Sequence, residues 1–222
     1  MKVLLILGAS GQVGRQLLAQ ALLHPQVAAV VAPTRQPLPA VPTGTMRLVN
    51  PVVDYRALPA ADWWRADACL CALGTTQRLA GSRAGFAEVD HDHVLAAARR
   101  ARAAGTPCFV LNSSLGASAA SGSFYLHVKG QTEDDLAALG FDSLTLVRPS
   151  LLDAGPRPDP RPAETLGLLL MRAAGPLLPR RWRAVTTAVV ARHMLDSALR
   201  AEPGRRVLES DALTAPGPMS GP

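Results

Sequence analysis

Val3-Leu4-Leu5-Ile6-Leu7-Gly8-Ala9-Ser10-Gly11-Gln12-Val13-Gly14 is the stretch whose reading decides the fold. Val3 to Leu7 is a continuous apolar run ended by Gly8, which predicts a strand covered on both faces in a parallel sheet. From Gln12 to Leu23, apolar residues recur at helical spacing as Val13, Leu17, Leu18, Ala21 and Leu22, until His24-Pro25 stops the helix. The opening unit is therefore strand, glycine turn, helix. Gly8 permits the tight turn, Gly11 lets an anion approach the backbone, and Gly14 lets the helix pack on the strand. The free backbone N–H groups and the positive end of the helix then make a seat for a pyrophosphate.

Outward from this unit the alternation continues. Strands are expected over Val27 to Ala32, Arg47 to Val49, Ala68 to Leu73, Cys108 to Asn112 and Ser143 to Val147. Helices are expected over Gly85 to Ala104 and from about Phe124 to Leu139. Six strands alternating with helices predict an α/β fold, a Rossmann-type doubly wound parallel sheet with right-handed crossovers. After Pro149 the character changes to a proline-rich stretch from Gly155 to Pro162, an apolar segment from Leu166 to Ala173, and a break at Pro176 to Pro179. This predicts a small C-terminal cap drawn from about residues 150–185, followed by a helix from Thr187 to Leu199 and a short strand near Val207. Residues 1–215 are expected to form one domain, and the Pro/Gly/Ser tail at 216–222 to be disordered.

Composition bounds the function. The chain has 222 residues, 48% of them hydrophobic, enough for one substantial core. Its formal charge of +6 is scattered in pairs such as Arg99-Arg100, Arg180-Arg181 and Arg205-Arg206, with no basic block interleaved with aromatics, so no nucleic-acid partner is expected. The three cysteines form no even framework and no CxxC pair, which points to a reducing compartment, with the cytoplasm the plain expectation. Cys69 and Cys71 should face one packed layer and Leu70 the other. Met1 to Leu7 runs into a glycine turn with no small-residue cleavage site, and Leu166 to Met171 is too short to span a bilayer, so neither a signal peptide nor a membrane span is expected. His91, Asp92 and His93 diverge around a helix axis and share no ligand face, so no metal is expected.

Three further features carry chemistry. At the end of the second strand stands Ala32-Pro33-Thr34-Arg35, without the carboxylate that binds a ribose 2′-hydroxyl. Arg35 suits a 2′-phosphate instead, so NADP(H) is expected in preference to NAD(H). Tyr125-Leu126-His127-Val128-Lys129 places a phenol and an ammonium one turn apart on a helix face. The ammonium favours the phenolate by charge and can reach a nicotinamide ribose, and the phenol can pass a proton to or from a substrate oxygen. Asn112-Ser113-Ser114 leaves the fifth strand, where Ser114, with Ser113 in reserve, would hold a substrate carbonyl beside the tyrosine. His127, Asp134 and Asp135 are assigned to a solvated helix face.

Together these residues resemble the atypical short-chain dehydrogenase/reductase superfamily, and within it the oxidoreductases similar to the human HIV Tat-interacting protein. The resemblance is carried by Gly8 to Gly14, Val52-Val53-Asp54-Tyr55, Cys71-Ala72-Leu73-Gly74-Thr75-Thr76, Gly85-Phe86 with Val89-Asp90, Ser113 to Ala117, Tyr125 to Gly130, and Arg148-Pro149-Ser150-Leu151-Leu152. It implies that Ser10, Gly11, Gln12 and Val13 line the pyrophosphate, that Arg35 meets the 2′-phosphate, and that Leu73 and Gly74 lie against the cofactor. It further implies Tyr125 and Lys129 as the active pair, Leu152 near the nicotinamide, and Arg161 as a cofactor contact. The family's basic pair after the second strand is here Thr34-Arg35, one charge fewer.

Two functions follow from this reading. One is an NADPH-dependent oxidoreductase acting on a small carbonyl or hydroxyl compound through Ser114, Tyr125 and Lys129. The other is an NADPH-holding, redox-sensing regulator with little turnover, signalling through a surface such as Leu166 to Leu178 with Arg180 and Arg181. A protein partner or a homodimer is left open.

Overall fold

The computed structural model describes residues 1–39, 47–153 and 179–214. Most of the stretch expected to form a cap, residues 154–178, with Arg161 and the Leu166 to Leu178 segment, lies outside the described residues, as do residues 215–222.

The opening unit forms as expected: β1 (Lys2–Leu7) runs into α1 (Gln12–Leu23). β2 (Val27–Val31), β3 (Leu48–Val49), β4 (Ala68–Cys71), β5 (Cys108–Asn112) and β6 (Ser143–Arg148) follow. β7 (Leu152–Asp153) and β8 (Val185–Thr186) make a small parallel pair beside the main sheet. β9 (Gly204–Glu209) does more than expected of a short strand: it pairs along the length of β6 and becomes the seventh strand. The order is β3-β2-β1-β4-β5-β6-β9, all parallel. The chain thus winds outward from β1 in one direction, then returns to β4 and winds in the other. Between β1 and β4 lies the switch point, where open α/β sheets bind ligands.

Alternation along the strands fills two layers. Leu4, Ile6, Leu70 and Val110 face the layer of α1 and α6 (Thr187–Arg200), while Leu5, Leu7, Phe109 and Leu111 face the layer of α4 (His93–Ala103) and α5 (Phe124–Ala138). Cys69 and Cys71 share the second layer and Leu70 takes the first, as the strand period requires. All three thiols are buried and unpaired.

The helix expected from Gly85 starts earlier and is not uniform. After a short α2 (Gln77–Ala80), α3 (Arg83–Ala87) passes through a π-helical turn at Glu88–Asp92 before α4 begins. Thr76 and Ser82 cap the two short helices by accepting hydrogen bonds from Leu79 and Gly85 N–H groups. Such π turns interrupt helices at functional sites more often than elsewhere. This one carries Asp90 to α5 and to the loop after β4.

Candidate active site

The glycine turn sits at the switch point. Gly8 has a left-handed φ of +80°, and a Cβ there would lie 2.7 Å from the carbonyl carbon and oxygen of Ala72, at the exit of β4. Only glycine allows β1 and β4 to approach so closely at that height. Gly11 N–H donates to the Gly8 carbonyl at 2.9 Å, closing the turn. A Cβ on Gly14 would come within 2.0 Å of the same carbonyl, so helix α1 rests directly on the turn.

Gly11, the N-cap of α1, supplies no side-chain cap, and the first turn of the helix holds no acid. The amino end of α1 is therefore open to an anion through its backbone. Ser10 and Gln12 are exposed beside it, and Arg15 Nε donates to the Ser10 carbonyl at 2.8 Å. Val13 points its side chain into the core, so only its backbone belongs to the loop. These residues fit a dinucleotide pyrophosphate: a turn held tight by close backbone approaches at Gly8 and Gly14, at the end of an uncapped helix, in the crevice between β1 and β4.

β2 ends in a rigid corner. Thr34 is buried, its hydroxyl donating to the Gln36 carbonyl at 2.6 Å and accepting from Asn50 Nδ2 at 2.8 Å. Tyr55, also buried, donates to the Pro33 carbonyl at 2.9 Å; burial first, and the nearby Cys71 and Cys69 next, push its hydroxyl far above the ordinary phenol range, so it is a structural donor. Arg35 emerges from this corner exposed, with no ion-pair partner among the described residues.

The other half of the site is built on α5. Lys129 is buried, and its Nζ lies 2.8 Å from Oδ1 of Asp90, itself only 1% exposed. Oδ2 of Asp90 accepts from the Thr75 N–H at 2.8 Å, in the loop that follows β4. Burial alone would lower the lysine, but the Asp90 carboxylate, with Tyr125 and a hydrogen bond adding to it, holds the ammonium above its usual value. Leu73 packs on the second core layer, and Gly74 is exposed over the pair: a Cβ there would stand 3.2 Å from Asp90 Oδ1 and 3.8 Å from Lys129 Nζ. Tyr125 is half-buried one turn before Lys129, its ring 5.5 Å from that of the buried Phe86.

Gly130 explains how the loop after β5 reaches this helix. A Cβ at Gly130 would overlap the Ser118 carbonyl carbon at 2.1 Å and Ala119 N at 2.2 Å. The loop therefore lies on α5, fixed by Ser118 N–H to the Leu126 carbonyl at 3.1 Å and by His127 Nδ1 to the Ala119 carbonyl at 2.5 Å. Ser114, at the start of that loop, is half-buried. Ser113 is buried and donates to Glu133 Oε1 at 2.5 Å, and the same carboxylate takes Arg148 Nε at 3.0 Å. Ser113 thus belongs to a framework joining β5, α5 and β6. Leu152 begins β7 and is held to Val185 of β8.

Over residues 8–174 the chain matches the NAD(P)H-binding family model. It is 36% identical over 218 residues to the protein HTATIP2 of Rattus norvegicus, covering 96% of this chain and 88% of that one. This chain is an atypical short-chain dehydrogenase/reductase of the NAD(P)H-binding family. Another relative, the protein fmp52, mitochondrial, of Aspergillus clavatus, is 34% identical over 207 residues, 90% of this chain and 88% of that one. Solved structures with the same fold include MoeE5 in complex with UDP-glucose and NAD, with TM-score 0.68 and 17% identity over 96% of this chain and 79% of that one. They also include the short-chain dehydrogenase/reductase YIR035C of Saccharomyces cerevisiae, with TM-score 0.67 and 14% identity over 96% and 98%.

The fungal relatives' names correct one expectation. Cytoplasmic placement does not stand against relatives of this reductase family called mitochondrial. Unpaired thiols mark a reducing environment and cannot tell one reducing compartment from another. Among the described residues, no helix is long and apolar enough to cross a membrane, and no group of three His, Cys, Asp or Glu side chains could hold a metal.

One other sequence reading also changes. Asp134 and Asp135 do lie on an exposed helix face, where Asp135 Oδ2 meets His91 Nε2 at 2.8 Å, but His127 is half-buried and clamps the loop over α5. Asp134 lies 3.8 Å from Arg205 of β9. Asp90, which enters the sequence reading only within the Val89-Asp90 segment of the resemblance, is given no role there. Its signal was its spacing, four residues from both Phe86 and Val94, which puts an acid on the buried stripe.

Proposed function

We propose that this chain is an NADPH-dependent oxidoreductase moving a hydride between nicotinamide C4 and a small carbonyl or hydroxyl compound. The observation that carries this reading is the meeting of two halves at one switch point: the open amino end of α1 under Gly8, and Lys129 beneath Gly74 with Tyr125 one turn away. The glycine turn and the amino end of α1 would hold the pyrophosphate, Arg35 the 2′-phosphate, and Leu73, Gly74 and Leu152 the nicotinamide half. When bound, the dihydronicotinamide supplies the hydride to the carbonyl carbon.

The chain's own residues handle the proton and the geometry. Ser114 directs its hydroxyl to the carbonyl oxygen, and Tyr125 gives that oxygen a proton as the alcohol forms, taking one back from solvent afterwards. Lys129 keeps its charge in a buried place and steadies the phenolate left on Tyr125. In the reverse direction Tyr125 accepts the proton of the alcohol.

Incubation with a panel of aldehydes and ketones, followed by loss of NADPH absorbance, tests the proposal. Turnover that disappears in Tyr125→Phe with NADPH binding retained is the expected result. Tight NADPH binding without turnover of any compound would instead fit a nucleotide-holding regulator.

A further inference from the structure

We propose that Asn112, the last residue of β5, is a binding residue for the carboxamide of the nicotinamide ring, its side-chain amide pairing with the ligand's amide. This inference rests on reading the crevice as a dinucleotide site, and it adds a contact outside the glycine turn and the Ser/Tyr/Lys set.

The position follows from the strand period. Cys108 and Val110 face the first core layer, Phe109 and Leu111 the second, so Asn112 turns to the first. Val147 of β6 stands beside it in register. On the other side Cys71 pairs with Leu111, which brings Ala72 level with Asn112. Ala72 in turn abuts the Gly8 turn. Ala72, Val147 and Leu152 all pack on the first layer, so Asn112 is an amide set in an apolar row at the carboxyl edge of the sheet.

That amide is unspent. Asn112 is half-buried, its Oδ1 is closed off from solvent without a hydrogen-bond partner, and among the described residues no hydrogen bond ties its Nδ2 either. A polar atom left so in an apolar place lowers stability and calls for a partner from elsewhere. A half-turn about the last side-chain torsion exchanges Oδ1 and Nδ2, and no bond opposes it.

The nicotinamide carboxamide fits this vacancy in bonding. It carries a carbonyl acceptor and two N–H donors, the complement of an Asn amide in either orientation. β5 lies two strands from β1, about 10 Å from the glycine turn, on the side toward which a ribose and ring would run from a pyrophosphate on α1. Lys129 approaches from α5 on the second layer and Leu152 packs on the first, so a ring between them would turn its carboxamide to the face that Asn112 occupies.

Calorimetric titration of the parent and of Asn112→Leu, a change of nearly equal volume, with three ligands makes the test. The ligands are NADP+, its 3-acetylpyridine analogue, in which a methyl replaces the amide nitrogen, and 2′-phospho-ADP-ribose, which lacks the nicotinamide. The parent should hold NADP+ about tenfold more tightly than the analogue, the worth of one hydrogen bond to a buried acceptor. In Asn112→Leu the NADP+ dissociation constant should rise about tenfold, while those of the analogue and of 2′-phospho-ADP-ribose stay within about threefold of the parent's. Without nucleotide, the urea midpoint of Asn112→Leu should equal or exceed the parent's, because an amide without bonds gives way to an apolar group.

Equal weakening of all three ligands, or a preference for NADP+ over the analogue that the substitution leaves unchanged, overturns the proposal and leaves the oxidoreductase reading in place. A fall in the urea midpoint would also overturn it, marking Asn112 as a structural residue. A parent that binds neither NADP+ nor 2′-phospho-ADP-ribose removes the dinucleotide reading, and this assignment with it.

Discussion

Gly130→Ala tests how the two sides of the site are held together. The added methyl would lie 2.1 Å from the Ser118 carbonyl carbon and 2.2 Å from Ala119 N, more than an ångström short of ordinary contact, and both obstacles are backbone. The loop cannot slide away freely, because Ser118 N–H to the Leu126 carbonyl and His127 Nδ1 to the Ala119 carbonyl pin it on either side. Relief of the overlap breaks at least those two bonds, each worth a net 0.5–1.5 kcal/mol, so the cost is about 1–3 kcal/mol, in line with overpacking elsewhere. For a chain of this length, that lowers the melting temperature by roughly 2–12 °C. Gly122→Ala is the matched control, because nothing lies within 4 Å of a Cβ there. Differential scanning fluorimetry on both variants, with NADPH titrations beside it, makes the comparison. Displacement of Ser114 relative to Tyr125 should depress turnover more than NADPH affinity. A Gly130→Ala protein melting with Gly122→Ala and the parent would refute the packing argument.

The remaining predictions concern charge. Arg35→Ala should weaken NADPH by about ten- to a hundredfold, the worth of a charge-assisted contact, and leave NADH unchanged, as read by fluorescence titration of both nucleotides. Glu133→Gln leaves Arg148 and Ser113 facing a neutral amide in a buried place and should cost about 3 kcal/mol in urea unfolding; an unchanged midpoint would show the framework to be dispensable. For His91, burial lowers the imidazole, but hydrogen bonds to Asp92 and Asp135 outweigh it and hold its value above normal. Its stabilising contribution is therefore complete below the usual histidine value and is lost as pH rises through the raised one. Asp135→Asn should reduce that loss: the gap in urea midpoint between variant and parent should be wider at pH ~5.5 than at pH ~8.5, and a constant gap would contradict the pairing.

Much of this molecule was legible in its sequence because parallel sheets write themselves plainly. A strand covered on both faces is a continuous apolar run, so β1, β4 and β5 stood out, and the Cys69-Leu70-Cys71 alternation assigned its two layers correctly. The glycine turn was legible because each glycine answers a steric demand, now visible at Ala72 and at the Gly8 carbonyl. The seventh strand was harder to see as a sheet member, since Gly204–Glu209 carries Arg205, Arg206 and Glu209, the charged composition of an edge.

The partners of buried charges were the least legible. Lys129 and Glu133 stand four apart on α5, a spacing that invites them to pair with each other. Instead Lys129 turns to Asp90 of the π turn, and Glu133 turns to Ser113 and Arg148 across β5 and β6. Sequence spacing describes one helix at a time, and these choices are made between elements. The YxxxK pattern could be read for its helix face, and spacing marks Asp90 as a buried acid, but their pairing is visible only once the layers are assembled.

The central claim is that the phenol of Tyr125 and the amine of Lys129 stand beside a nicotinamide whose pyrophosphate rests on the amino end of α1. A crystal structure of the chain with NADP+ measures this directly. The account predicts the pyrophosphate on the backbone of Gly11 to Val13, Lys129 Nζ within hydrogen-bond reach, about 3 Å, of a nicotinamide ribose hydroxyl, and the Tyr125 hydroxyl facing the same pocket as C4. A nicotinamide turned away from Tyr125, or a nucleotide bound elsewhere than the crevice between β1 and β4, would contradict it.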